Sequence, residues 1–127
     1  MSHPSSSSNE LFGYVAEFDS ATGLYHAAEK IRERTGLTGD GADLVNPAFK
    51  VGDPLLALNT LRTDTEKSDQ KGYANLLIGI FGTFRNVPAH APRLKWAIDK
   101  REAFDALTIL SYAHRRLDEA VLVRRAR

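Results

Sequence analysis

Apolar residues recur at steps of three or four from Leu11 through Tyr14, Phe18, Ala21, Leu24, Ala28 and Ile31. That spacing lines one face of a helix. Gly13 and Gly23 weaken a single helix, each by about 1 kcal/mol relative to alanine. Asp19-Ser20 can end one helix and cap the next. Gly36, just after Arg32 and Arg34, predicts a stop. Thr38 to Gly41 reads as a polar turn. Ala42, Leu44, Val45, Ala48 and Phe49 then predict a short helix, with Pro47 in its first turn or at a bend. Gly52-Asp53-Pro54 ends it, and Leu55, Leu56, Leu58 and Leu61 follow in a stretch too short for its period to decide.

The clearest helix comes next. Thr63-Asp64-Thr65-Glu66 offers several N-cap residues, with acids suited to the positive helix end. Tyr73, Leu76, Leu77, Ile80, Phe81 and Phe84 fall on one face, and Gly72, Gly79 and Gly82 predict the close approach of a neighbouring backbone. Pro88 places the end near Arg85 or Asn86. A last helix opens at Asp99 with Glu102 three positions on, a capping-box pattern. Its apolar face is Ala103, Phe104, Leu107, Leu110, Leu117 and Val121, with His114 on the same stripe. Strand signals are almost absent. The fold class expected is all-α, an up-and-down bundle of three long helices plus one or two short ones. The Ser-rich stretch at 1–10 has little to bury and is expected to be a disordered tail, with a single domain over 11–127.

Composition narrows the chemistry. A length of 127 residues suits one domain. Without cysteine there is no disulfide scaffold, thiolate zinc site or cysteine nucleophile. The longest uncharged run, Gly72 to Phe84, has 13 residues, whereas a membrane span needs about 20. A cytoplasmic chain with no membrane partner is expected. The formal net charge is +1, yet residues 1–84 carry 7 basic and 11 acidic side chains against 10 and 5 in residues 85–127. A polyanion would prefer the C-terminal third, where Arg115, Arg116, Arg124, Arg125 and Arg127 crowd together. A solvated helix end favoured by the helix dipole explains the same run.

The segment richest in chemistry is Gly82-Thr83-Phe84-Arg85-Asn86-Val87-Pro88-Ala89-His90. Arginine matches two phosphate oxygens at once, histidine titrates near neutrality, and asparagine orients water, hydroxyl or phosphate. Together they suit attack on a phosphodiester. As a bare pattern, Arg-x-x-x-x-His equally describes a helix end followed by a surface histidine. His3, His26 and His114 are dispersed without metal-ligand spacing, so no metal or other cofactor is expected. Gly36 to Gly41 lacks the Lys-Ser/Thr ending of a phosphate loop and reads as a turn. Asp64, Glu66 and Asp69 read as acids near a helix start. Tyr73 and Trp96 read as core or interface aromatics. Candidate RNA contacts are Arg93, Lys95, Trp96, Arg115 and Arg116, with Trp96 able to stack on a base.

Several blocks resemble the Ymh-type conserved-hypothetical family. They are Glu29 to Val45, Asp53 to Leu61, Thr65-Glu66, Gln70 to Tyr73, Phe81 to Asn86, Ala89-His90 and Leu110 to Asp118. The resemblance covers roughly residues 26–120. The family looks like a branch of the HEPN superfamily of small helical bundles. Membership implies a metal-independent endoribonuclease, of the toxin or phage-defence kind, with an arginine and a histidine four to six residues apart. Arg85, Asn86 and His90 match that pattern as catalytic residues. The resemblance further implies RNA as substrate, a homodimer with a composite site, and an antitoxin or inhibitor protein as possible partner. The alternative is a catalytically inactive module that binds RNA, a nucleotide or a protein.

Overall fold

Helix α1, Leu24–Thr35, buries Leu24, Ala27, Ala28 and Ile31, positions three or four apart. The computed structural model describes residues 23–84 and 100–127. Gly36 ends α1 as the spacing predicts, adopting a left-handed φ of 79° while its N–H bonds to Arg32 O at 2.8 Å. After the polar turn, α2 runs Gly41–Phe49, and the Asp40 carboxylate accepts from Gly41 N at its start. Pro47 stands in the last turn of α2, not the first. Lacking an N–H, it forgoes one helical bond there, and the helix ends two residues later.

Helix α3, Asp64–Phe84, is the longest described element. Its start is a reciprocal cap: Glu66 N donates to Thr63 Oγ1 at 3.1 Å, while Glu66 Oε1 accepts from Thr63 N and Arg62 N. Gln70, Tyr73, Ala74, Leu77, Ile80, Phe81 and Phe84 are buried. Leu76, expected on that face, is 37% exposed. The glycines carry a second correction. A Cβ built on Gly72, Gly79 or Gly82 meets nothing within 4 Å among the described residues. They line an exposed face instead of receiving a backbone, so their conformational cost is uncompensated there. Gly72→Ala should therefore raise the unfolding free energy by about 0.5–1 kcal/mol, read by urea denaturation. A loss of stability would mean that something covers this face.

Helix α4, Lys100–Glu119, buries Leu110 and Leu117 of the expected face, but that face is rotated toward the alanines. Ala106, Leu110, Ala113, Leu117 and the following Ala120 are buried, whereas Phe104 is 38% and Val121 65% exposed. Small alanines let α4 lie close to α1 and α3, and the bulkier Phe104 is rotated outward. Val121 has left the helix and pairs in a two-residue ribbon. Strands β1 (Leu56–Ala57) and β2 (Val121–Leu122) run antiparallel, with Leu56 opposite Leu122 and Ala57 opposite Val121. The fold is thus mostly helical, with one small ribbon that the pattern did not announce. The capping box expected at Asp99 lies outside the described residues.

The chain end locks the bundle. Val123 N donates to Leu55 O at 2.7 Å and Ala126 N to Thr35 O at 2.6 Å. Two guanidiniums cap helix ends across the structure. Arg34, in the last turn of α1, donates to Leu117 O and Ala120 O at the end of α4. Arg125 in turn donates to Glu33 O and Arg34 O at the end of α1. Both place positive charge on carbonyls at the negative ends of helices. Arg124 pairs with Asp53 at 2.8 Å. Much of the basic C-terminal run is therefore committed inside the fold.

Candidate functional site

The catalytic candidates Arg85, Asn86 and His90 lie outside the described residues, as do Arg93, Lys95 and Trp96. The described chain reaches the first of them directly, since α3 continues to Phe84. The structure places the other two candidates, Arg115 and Arg116, on α4, where their surroundings differ sharply.

Arg116 is tied down. Its guanidinium meets Asp69 through two bonds, 2.7 Å to Oδ2 and 3.1 Å to Oδ1, and donates to the Tyr112 hydroxyl at 3.1 Å. It also lies 5.7 Å from the ring centre of Tyr73. The hydrogen bonds from Arg116 hold the Asp69 carboxyl below the usual range. A phosphate would have to compete with that carboxylate. Arg115, in contrast, is exposed and rests 5.6 Å from the Tyr112 ring centre. Tyr73 itself is core, as read from the sequence. It is 3% exposed, stacks edge-on against Phe49 at 5.3 Å, and donates from its hydroxyl to Ala113 O at 2.6 Å. Burial pushes its phenol well above the ordinary range.

A cleft of about 680 Å³ runs beside α1 and α4, bordered by His26, Lys30, Ser111, His114, Arg115 and Asp118, with Leu107 and Leu110 among its apolar walls. Its centre is a three-residue network. Lys30 Nζ lies 3.0 Å from His114 Nδ1 and donates to Asp118 Oδ1 at 2.9 Å. The far nitrogen, His114 Nε2, lies 3.0 Å from Gly23 O. One assignment satisfies both ring contacts: a neutral imidazole protonated at Nε2, donating to the carbonyl and accepting from the ammonium at Nδ1. Burial first, then the Lys30 charge, lowers the His114 pKa below its ordinary 6.5, against the opposing pull of Gly23 O and Asp118. Sequence reading placed His114 on the apolar stripe but had no signal for Lys30, which lies 84 residues away.

The sign of the linkage follows. The unfolded histidine takes a proton before the folded one does, so its contribution is complete above pH 6.5 and is lost as pH falls toward the folded value. Urea midpoints should therefore drop between pH 7.5 and pH 5.5, and drop less in His114→Gln. An equal fall in both proteins would remove His114 from the account.

Two of the acids at the start of α3 hold their expected roles, and Asp69 instead pairs across to another helix. Asp64 opens the helix, Glu66 caps it, and Asp69 pairs with Arg116. Among the described residues no three histidine, aspartate or glutamate side chains converge as metal ligands. Nor is any described helix long and apolar enough to cross a membrane.

A family model described as a protein of unknown function, Hypoth_ymh, matches residues 16–117. The chain belongs to that family. No curated protein and no solved structure gives a significant match. The Hypoth_ymh stretch takes in α1 to α3, the Arg85–His90 segment and α4 as far as Leu117. The chain end that caps α1 lies beyond it.

Proposed function

We propose that this Hypoth_ymh protein is a metal-independent endoribonuclease of the HEPN type. The observation that carries the proposal is the Arg85-Asn86-x-x-x-His90 sequence directly after α3, within the family-matched stretch. In this reading the RNA 2′-oxygen attacks the adjacent phosphorus and gives up its proton to a base. The bond to the 5′-oxygen breaks, and that oxygen takes a proton from an acid. His90 supplies these proton transfers, one copy per subunit acting in opposite senses. Arg85 stabilises the charge on the five-coordinate phosphorus, and Asn86 orients phosphate or hydroxyl. A homodimer brings two copies of the motif together, and an antitoxin or inhibitor protein would restrain the activity.

The test is purified protein with a panel of RNAs in excess EDTA. Fragments ending in a 2′,3′-cyclic phosphate and beginning with a 5′-hydroxyl are expected. Cleavage that requires added metal, or intact RNA across the panel, would reject the mechanism. The second reading is a catalytically inactive helical module that binds RNA, a nucleotide or a protein partner, favoured by the small formal charge of +1. It predicts salt-sensitive binding and intact RNA.

A further inference from the structure

Two asparagine–lysine pairs meet at one cleft where α2 packs on α3. Asn46 lies four residues before Lys50, the residue that ends α2, and Lys71 lies four before Asn75 on α3. Residues so spaced share one side of a helix. The four side chains, with Pro47 and Ala74, border a cleft of about 680 Å³. We propose that this cleft binds a small phosphate monoester. Lys50 and Lys71 neutralise the phosphate, and Asn46 and Asn75 donate to its oxygens or to hydroxyls on the rest of the molecule. The site is separate from the ribonuclease reading and does not depend on it.

The four groups are uncommitted. Lys30, Arg34, Arg116, Arg124 and Arg125 are all bonded to carboxylates or carbonyls. Among the described residues, neither Lys50 nor Lys71 forms an ion pair, and neither the Asn46 nor the Asn75 amide has a hydrogen-bond partner. No carboxylate borders the cleft. Asp53 feels the Lys50 charge, but Arg124 already holds its carboxylate at 2.8 Å. The helix dipole explains a cation at Lys50, beside the negative end of α2, but not one at Lys71 inside α3. Two ammonium groups sharing a cleft without a counter-ion repel each other, and a bound anion removes that repulsion. A phosphate monoester carries about −1.5 to −2 charges at pH 7 and three acceptor oxygens, which suits two lysines and two amide donors. Small-molecule clefts span about 300–1,000 Å³, so this one has room for more than the anion itself. The surroundings favour a compact ligand over a long polyanion. Asp43 and Asp64 are exposed about 10 Å along α2 and α3 from Lys50 and Lys71. Residues 1–84 carry 11 acidic side chains against 7 basic ones. A nucleic-acid strand leaving the cleft meets these acids, whereas a single phosphate group does not.

The experiment titrates the full chain with glucose 6-phosphate by calorimetry, with glucose and a short 2′-O-methylated RNA as the comparison ligands. Glucose 6-phosphate should bind with a Kd on the order of 0.1–1 mM, inorganic phosphate should compete with it, and glucose should not bind. Lys50→Met and Lys71→Met should each weaken binding about tenfold or more, and Lys71→Arg should keep most of it. Asn75→Asp, which sets a carboxylate against the phosphate, should cost more than Asn75→Ala. Arg101→Met, an exposed cation on α4, is the control and should bind as the wild type does. Melting curves without ligand show that each variant is folded, and Lys71→Gln replaces any methionine variant that is not. Glucose binding as tightly as its phosphate, wild-type affinity in both lysine variants, or no binding by the wild type overturns the site. Displacement of glucose 6-phosphate by the RNA at lower concentration than by inorganic phosphate overturns the compact ligand in favour of a strand. Cleavage is read in a separate assay, so either proposal can fall alone.

Discussion

Replacing Gln70 with leucine should lower the unfolding free energy by about 2–4 kcal/mol and the melting temperature by roughly 10 °C. Gln70 is fully buried, among residues that are otherwise almost all apolar. Its amide nitrogen donates to Leu56 O at 2.8 Å and to Phe49 O at 3.3 Å, and its oxygen accepts from Leu58 N at 2.9 Å. One side chain on α3 therefore ties the end of α2 to both sides of β1. Leucine has nearly the same size but leaves three backbone groups without that partner, and a buried unpaired group costs about 1–3 kcal/mol. The extra apolar burial offsets only part of this. Gln70→Glu is the informative companion: it keeps the acceptor for Leu58 but places a carboxylate oxygen against two carbonyls, so it should be no better than leucine. A Gln70→Leu protein melting within 2 °C of the wild type would show that these backbone groups find other partners.

Arg85→Ala and His90→Ala should each lower EDTA-resistant cleavage by about a hundredfold or more. If arginine stabilises the five-coordinate phosphorus, its contact is strongest where charge has accumulated, so the loss should fall on kcat more than on KM. On the proposed mechanism, removing His90 takes away both proton acceptor and donor, and a composite site would make the two losses less than multiplicative when combined. Asn86→Ala, which would only misplace phosphate or hydroxyl, should cost less than either. Far-UV circular dichroism confirms that each variant is folded. Cleavage at the wild-type rate in both alanine variants would contradict the assignment.

How much of this was legible in the sequence depended on distance along the chain. The Gly36 stop, the Thr63–Glu66 cap and the short helix before Phe49 are set by neighbours within a few residues, and their chemistry can be read locally. The inward face of α4 could not be ranked by bulk. Alanines 106, 113 and 120 carry little hydrophobic signal, yet they face the core because close helix packing requires small residues there. The β1–β2 ribbon pairs residues more than sixty positions apart, and two-residue strands have no period to detect. The same limit hid the site contacts. The basic run at the chain end looked like one patch, but Asp53, Asp69 and the carbonyls closing α1 divide Arg124, Arg116 and Arg125 among separate duties. Arg85, Asn86 and His90 were legible only as a pattern of residue types, and they lie outside the described residues.

The most direct measurement uses one RNA whose cleavage position has been mapped, prepared with a single 2′-deoxy nucleotide on the 5′ side of that bond. With no hydroxyl there to attack the phosphorus, the account predicts that this bond stays whole in EDTA while the all-ribose strand is cut. Equal cutting of both strands would contradict it.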